Sequence, residues 1–125
     1  MERTIKKSLS LGELTLKITE VGEDWHLLLT GGEKPHVGCA VLAVPRPSLT
    51  GSGKTSVTSS VLNLTGHKDE TICRYLAEEI AKRKNAVTVC TGGVHVDHIT
   101  KEQMEEVLST VKDMAEACGM QEVEG

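Results

Sequence analysis

The sequence predicts an α+β fold, a mostly antiparallel sheet of about six strands with two helices packed on one face. Three short segments separated by tight turns begin the chain, which is typical of an antiparallel meander. Two later segments carry apolar residues at helical spacing, and a valine-rich segment lies between them. The strands before and after the first helix should run parallel if they share a sheet. We expect one domain over residues 1–125, because this length is typical of a single domain.

The strands are predicted from alternation and from turn residues. The clearest is 14–21, where Leu14, Leu16 and Ile18 alternate with threonine and lysine. Residues 45–54 are rich in Pro, Gly and Ser, and we expect them to form a mobile loop. The other predicted strands are 3–11, 25–30, 36–44, 55–64 and 86–90.

The helices are predicted from apolar stripes and end signals. The first covers 69–84, with acidic residues at its start and basic residues at its end, as the helix dipole favours. The second begins after Thr100, which forms a capping box with Gln103, and Gly119 is predicted to supply a left-handed residue at its end. Residues 120–125 are expected to be a frayed tail. The sheet face without helices favours a homodimer.

Composition excludes several classes of protein. The net charge is −4, and one Trp, one Tyr and no Phe are present, so we expect no nucleic-acid partner. The apolar runs are too short to span a bilayer and no secretory signal is seen, so we expect no membrane partner and a cytoplasmic protein. The four cysteines have no CxxC spacing and are predicted to be buried hydrophobic residues, namely Cys39, Cys73, Cys90 and Cys118.

The most informative stretch is 86–98, where an apolar strand breaks at two glycines and ionisable residues follow. Gly92 and Gly93 would leave peptide N–H groups open to a ligand. If the chain stays extended, His95 and Asp97 lie on one face and could take a metal or an anion.

An earlier stretch repeats this pattern. Residues 27–32 read LLLTGG and His36 follows shortly afterwards. The repeat is either chance, in a chain with 12 glycines, or a sign that two strand ends converge on one pocket.

The start of the first helix is a second candidate site. Free N–H groups there favour an anion, which Lys68 or Arg74 could meet; the alternative is a solvated charge cluster at a helix entry. A metal site could draw on several side chains near strand ends, whereas Asp97 and His98 could simply lead into the cap of the second helix. These metal candidates are His36, His67, His95, His98 and Asp97.

Residues 48–56, SLTGSGKTS, come within one substitution of a P-loop, with Ser48 in place of the first glycine. A P-loop needs a helix after it, but 57–64 is β-branched and predicts a strand, so we expect no nucleotide hydrolysis. The segment is either a flexible hairpin loop or a loop from which Arg46 and Lys54 close over an anionic ligand bound elsewhere.

Three segments carry a resemblance to a known family, TGGEKPHVG at 30–38, TSVTSSVLNLTGHKDE at 55–70 and TVCTGGVHVDHIT at 88–100. The chain resembles the small D subunit of bacterial gallate decarboxylase systems over most of its length. That family is described as a chaperone or carrier of prenylated flavin mononucleotide (FMN), is similar in fold to proteasome assembly chaperones, and dimerises. The resemblance implies a protein with no catalytic residues that serves a decarboxylase dependent on prenylated FMN.

The resemblance and the helix start together define the predicted cofactor site. The implied phosphate would lie near Gly66 or the Gly92-Gly93 turn, a divalent metal could bind His67 and His95, and the flavin ring would meet an aliphatic wall or a dimer partner. Two alternatives stay open, a small metal-dependent hydrolase or lyase and a non-catalytic structural subunit of a decarboxylase. The predicted cofactor-binding residues are Gly66, His67, Lys68, Asp69, Arg74, Gly92, Gly93, His95 and Asp97.

Overall fold

A computed structural model describes residues 2–48, 53–64 and 69–120 and confirms the predicted α+β class. One six-stranded sheet has the order β1-β2-β3-β6-β4-β5. The elements are β1 Glu2–Leu9, β2 Gly12–Val21, β3 Asp24–Gly32, β4 Cys39–Pro47, β5 Thr55–Asn63, α1 Asp69–Lys84, β6 Thr88–His95 and α2 Lys101–Met120.

The sheet combines a meander with an inserted strand. Strands β1, β2 and β3 form the predicted antiparallel meander. Strand β6 inserts between β3 and β4, parallel to β3 and antiparallel to β4. Since β5 is antiparallel to β4, the strands that flank α1 run parallel as predicted, with β4 between them.

One face of the sheet forms the core. Alternate residues of the four central strands are buried there. Helix α1 packs on β4, β5, β6 and α2. Burying each large aliphatic side chain contributes about 1.5–3 kcal/mol, so this layer supplies most of the driving force for folding. Its largest members include Leu14, Leu16, Ile18, Leu27, Leu29, Leu76 and Ile80.

The helix starts follow their local signals. Helix α1 has the predicted bounds. At the start of α2 the Gln103 N–H donates to Thr100 Oγ1 over 3.0 Å, and the Thr100 N–H donates to Gln103 Oε1 over 2.9 Å, which confirms the capping box. Helix α2 continues through Gly119 to Met120, so the predicted left-handed end at Gly119 is wrong. Residues 121–125 of the predicted tail lie outside the described residues.

Strand β4 has the predicted length of nine residues, but it begins and ends three residues later than the predicted 36–44. It extends beyond Val44 to Pro47, with Pro45 opposite Val57. Strand β6 pairs with β4 only as far as Ala43, so among the described strands the end of β4 pairs with β5 alone and tolerates proline there. Of the predicted loop, residues 49–52 lie outside the described residues. Neither described helix combines the length and hydropathy required to cross a membrane.

Candidate functional site

The two Thr-Gly-Gly ends lie side by side. Strands β3 and β6 are parallel neighbours, with Thr30 opposite Gly93 and Gly32 opposite His95. The sequence repeat therefore marks one place in the fold, and the hypothesis that two strand ends converge is confirmed. Beyond β3, the chain returns to β6 through residues 33–38, where the Gly38 N–H donates to the Gly92 carbonyl over 2.8 Å.

A buried carboxylate lies at the centre of this region. Asp69 is the first residue of α1 and is only 4% exposed. Its Oδ1 accepts a hydrogen bond from the Val94 N–H at 2.9 Å, and its Oδ2 lies 3.1 Å from His36 Nε2. Asp69 thus joins the start of α1, the end of β6 and the returning loop, and it orients the His36 imidazole.

The glycines around this carboxylate are required by packing. A Cβ added to Gly38 would overlap Asp69 Oδ2, and one added to Gly93 would lie 2.5 Å from the same oxygen. Gly92 has φ +127°, and its added Cβ would overlap the Leu29 carbonyl oxygen. The sequence predicts that Gly92 and Gly93 leave backbone open to a ligand, but the structure shows protein atoms in the places where their side chains would be.

His95 forms a second pair with a carboxylate. Its Nε2 lies 3.2 Å from Asp97 Oδ1, which agrees with the prediction that both side chains share a face. The two side chains are 44% and 70% exposed, so this pair is open to solvent, whereas the pair formed by His36 and Asp69 is mostly enclosed. The His36 and His95 rings meet edge to face with centroids 5.8 Å apart. Two imidazoles, each beside a carboxylate, therefore face one region.

The loop between the pairs is tied to β6. The Glu33 N–H donates to the His95 carbonyl over 2.8 Å, and Glu33 Oε1 accepts from the Asp97 N–H over 2.9 Å. Both bonds involve Glu33, so they connect the start of the loop that presents His36 to the end of β6 and the residues after it. The arrangement can offer imidazole hydrogen bonds to a ligand from two sides.

An apolar groove of about 230 Å³ adjoins the polar cluster. Gly38 belongs to both, since it lines the groove and packs against Asp69. Leu62 is 77% exposed and Val37 and Leu64 are also exposed, so the groove is a shallow aliphatic surface. Its lining is Val37, Gly38, Cys39, Ala40, Leu62, Asn63 and Leu64.

The aromatic residues lie elsewhere. Trp25 is near the start of β3, opposite the end that carries Gly31 and Gly32, and the Lys84 ammonium lies 5.0 Å from the Trp25 ring centroid. Tyr75 lies in α1, where burial and the Glu79 carboxylate raise the pKa of its phenol. Of the two walls predicted for a flavin ring, the aliphatic one is therefore present beside the cluster.

The structure brings together only some of the predicted cofactor-binding residues. Asp69, Gly93, His95 and Asp97 come together, and Gly92 lies within the same strand end. Gly66, His67 and Lys68 lie outside the described residues. Arg74 forms an ion pair with Glu70 one turn away on α1.

His36 is the functional candidate that the predicted cofactor site omits. The signal that could have found it is the repeat of Thr-Gly-Gly followed by histidine. His98, in contrast, adopts φ 55° just before the cap of α2, as expected for a residue that only leads into the helix.

The metal hypothesis gains no support. Across residues 2–48, 53–64 and 69–120, no group of three or more His, Cys, Asp or Glu side chains is arranged to hold a metal ion. His67, one of the two predicted ligands, is outside these ranges.

The segment resembling a P-loop is followed by β5, as predicted, and not by a helix. Arg46 and Lys54 line a separate pocket of about 540 Å³, where Arg46 Nε donates to Thr58 Oγ1 over 2.8 Å. Arg46 is seven residues along β4 from Cys39, about 23 Å at 3.3 Å per residue. Within one chain, these cations therefore lie far from the groove.

All four cysteines are buried and reduced, as predicted. Cys73 in α1 hydrogen-bonds with Cys90 and Cys39, and these bonds join α1 to the central strands. The hydrogen bond with Cys90 and burial raise the pKa of Cys73, while burial above all raises that of Cys39. Both thiols therefore stay protonated at neutral pH and are poor nucleophiles.

Comparisons with known proteins agree with this fold. A family model described as a prenylated flavin chaperone LpdD-like domain matches residues 10–122. No curated protein matches the chain. A solved structure titled "Crystal Structure of a Novel Chaperone Complex for Yeast 20S Proteasome Assembly" is similar, with a TM-score of 0.51 and 15% identity over 93% of this chain and 96% of that chain. At this identity, the likeness shows a shared fold alone.

Proposed function

Because the chain belongs to the prenylated flavin chaperone family with an LpdD-like domain, we propose that it binds prenylated FMN and carries it to a decarboxylase that uses this cofactor. The proposal depends most on one observation. A carboxylate-anchored pair of imidazoles lies directly beside an aliphatic groove. Small-molecule sites typically combine apolar walls with a few fixed polar groups, and this region has both.

The groove suits one part of the cargo. Its volume of about 230 Å³ is below the roughly 300–1,000 Å³ of typical ligand pockets, so it would cover part of the prenylated ring and leave the rest outside. An aliphatic surface formed by Val37, Leu62 and Leu64 can pack against the ring without aromatic stacking. A shallow site also suits a carrier, because a carrier must release what it binds.

The two imidazoles would fix the orientation of the cargo. His36 is held by the buried Asp69, so its ring has little freedom and can serve as a fixed hydrogen-bonding group. His95 is more exposed and can reach a phosphate oxygen or a polar atom of the flavin. Neither role requires bond cleavage, and we propose binding and transfer without turnover.

The phosphate position follows from charge. Gly93 packs against the Asp69 carboxylate, so a phosphate on that side of the turn would meet a like charge. The other predicted position, residues 66–68, directly precedes Asp69 but adds the positive charge of Lys68, so we favour it. This assignment is a prediction from the sequence and the resemblance.

The test is anaerobic purification after co-expression with a flavin prenyltransferase, followed by an absorbance spectrum and the mass of the released ligand. We expect prenylated FMN near one equivalent per chain, and loss of most of it in His36→Ala. The matched control is His26→Ala, because His26 lies in β3 away from the Gly-Gly turn. A colourless wild-type protein that also fails to activate an apo-decarboxylase would contradict the proposal and favour the hydrolase or structural-subunit alternatives.

A further inference from the structure

The two edge strands of the sheet, β1 and β5, differ in how well they are protected against pairing with a strand of another molecule. Strand β1 carries four charged residues within ERTIKKSL, and charge along an edge is a common defence against pairing with another sheet. Strand β5 reads TSVTSSVLN and contains no charged residue, proline or glycine. In the part of the chain that the structure describes, β5 has β4 as its one neighbouring strand. The β5 edge is therefore a template for strand addition.

We propose that β5 pairs antiparallel with β5 of a second copy, across a two-fold axis at Ser59, and that the partner's Lys54 thereby completes the ligand site. The second part rests on the proposed function. A two-fold interface pairs β5 with the same strand of the partner. We therefore chose the register in which the residues of β5 best match those of the partner's β5. Centred on Ser59, it places Val57 opposite the partner's Val61, and Thr58 opposite the partner's Ser60.

These cross-strand pairs are chemically matched. Val57 and Val61 both pack against the core on the helix side of their own sheet, so the valine pairs would extend that apolar layer across the axis. Thr58 and Ser60 are exposed on the other face and would form hydroxyl pairs. Shifting the centre by one residue to Ser60 would place Val57 opposite an asparagine and lose this match.

The same register brings a cation to the groove. It places the partner's Thr55 opposite Asn63 and the partner's Lys54 beside Leu64, whose N–H donates to the Gly38 carbonyl over 2.9 Å. Two strand spacings of about 4.8 Å separate the partner's Lys54 from Gly38, roughly 10 Å between Cα atoms. By strand alternation, the partner's Lys54 lies on the same face as Leu62. In this dimer, the partner's Lys54 would therefore approach the anionic ligand, in place of the chain's own Lys54.

One contact gives this dimer a specific signature. On the helix face, Ser59 Oγ donates to Glu78 Oε2 over 2.7 Å. A two-fold axis at Ser59 brings the two Glu78 carboxylates close together, and their repulsion opposes association. Removing that charge should tighten the dimer, whereas a dimer formed through the open sheet face would not respond, because Glu78 lies on the opposite side.

The pairing is tested by sedimentation of the full chain without ligand. We expect a dimer, an increase of at least tenfold in the dissociation constant for Ser60→Lys, and a decrease of about two- to tenfold at low salt for Glu78→Gln. Thr4→Lys, which adds the same charge to the β1 edge, should change nothing. A monomeric wild type, or a dimer unaffected by Ser60→Lys, would overturn the pairing. A dimer that is weakened by Ser60→Lys but unaffected by Glu78→Gln would overturn it in favour of an open-face dimer.

The contribution of Lys54 is tested by complementation with FMN as the fluorescent probe. Lys54→Ala and His36→Ala should each form dimers that bind FMN at least tenfold more weakly. Mixed dimers of the two variants should recover about half of the wild-type sites, because one site then has both His36 and the partner's Lys54. Mixed dimers that bind no better than their parents would overturn the shared site. Failure of wild type to bind any flavin would instead contradict the proposed function and leave the sedimentation result standing.

Discussion

Strands β3 and β6 both contain Thr-Gly-Gly near the same edge of the sheet and lead to histidines that meet, yet the two copies are built differently. After β3, His36 returns through a loop and is anchored by a buried carboxylate. In the second copy, His95 is the last residue of β6 and pairs with the exposed Asp97. One copy of the motif therefore supplies a fixed imidazole and the other an accessible one.

The glycines differ in the same way. In the first copy, a Cβ on Gly31 would meet mainly Leu14, with Cδ1 at 2.8 Å. In the second copy, Gly92 has φ +127° and faces the Leu29 backbone, and Gly93 faces Asp69. Gly32 in the first copy also opposes backbone, because its added Cβ would overlap the His95 carbonyl oxygen at φ +85°. The copies therefore differ chiefly at Gly31, which meets mainly a side chain, and Gly93, which meets a buried charge.

The largest effect is expected from Gly92→Ala. The new methyl group would overlap the Leu29 carbonyl oxygen at a backbone angle that alanine rarely adopts, so we expect a loss of about 3 kcal/mol or more in unfolding free energy. Gly31→Ala is the matched variant and should cost about 1–2 kcal/mol, because the Leu14 side chain can shift. Urea denaturation measures both, and an equal cost would show that the two ends are equally constrained.

An intermediate effect is expected from Asp69→Asn. This variant keeps the size of the side chain but removes the charge that orients His36, so we expect a loss of about 1–3 kcal/mol in stability and at least tenfold weaker FMN binding. Asp97→Asn, the same change in the exposed pair, should cost under about 0.5 kcal/mol. If Asp97→Asn proves the more damaging to stability, the assignment of the fixed and accessible pairs is reversed.

The smallest effect on stability is expected from His95→Ala. Because its side chain is 44% exposed, we expect the melting temperature to stay within about 2 °C of wild type while retained flavin falls sharply. His36→Ala should lower both, since it leaves a buried carboxylate without its imidazole. Calorimetry with parallel flavin quantification separates the two histidines. A collapse of the melting temperature in His95→Ala would identify His95 as part of the core.

Local signals predicted the helices and the strand order along the chain. The bounds of α1 and the capping box of α2 depend on residues within one or two turns, so sequence alone was sufficient. The end of β4 was missed because proline usually breaks a strand, and only the sheet order shows that this end has a single partner.

The centre of the site depends on contacts that are distant in sequence. Asp69 looks like an ordinary acidic residue in a first helical turn, whereas its partners, Val94 and His36, come from β6 and the loop after β3. Only the insertion of β6 between β3 and β4 brings them together. Likewise, the sequence alone allows Gly92 and Gly93 either to admit a ligand or to pack closely against other protein atoms. The surrounding atoms in the structure show close packing.

The most direct test of one shared ligand site is the imidazole NMR spectrum of ¹⁵N-histidine-labelled protein during an anaerobic titration with FMN. We predict that the His36 and His95 resonances shift together with one dissociation constant while His26, near the far end of β3, stays unchanged. Unchanged His36 and His95 resonances in a flavin-saturated sample would contradict the account, because the flavin would then be bound elsewhere.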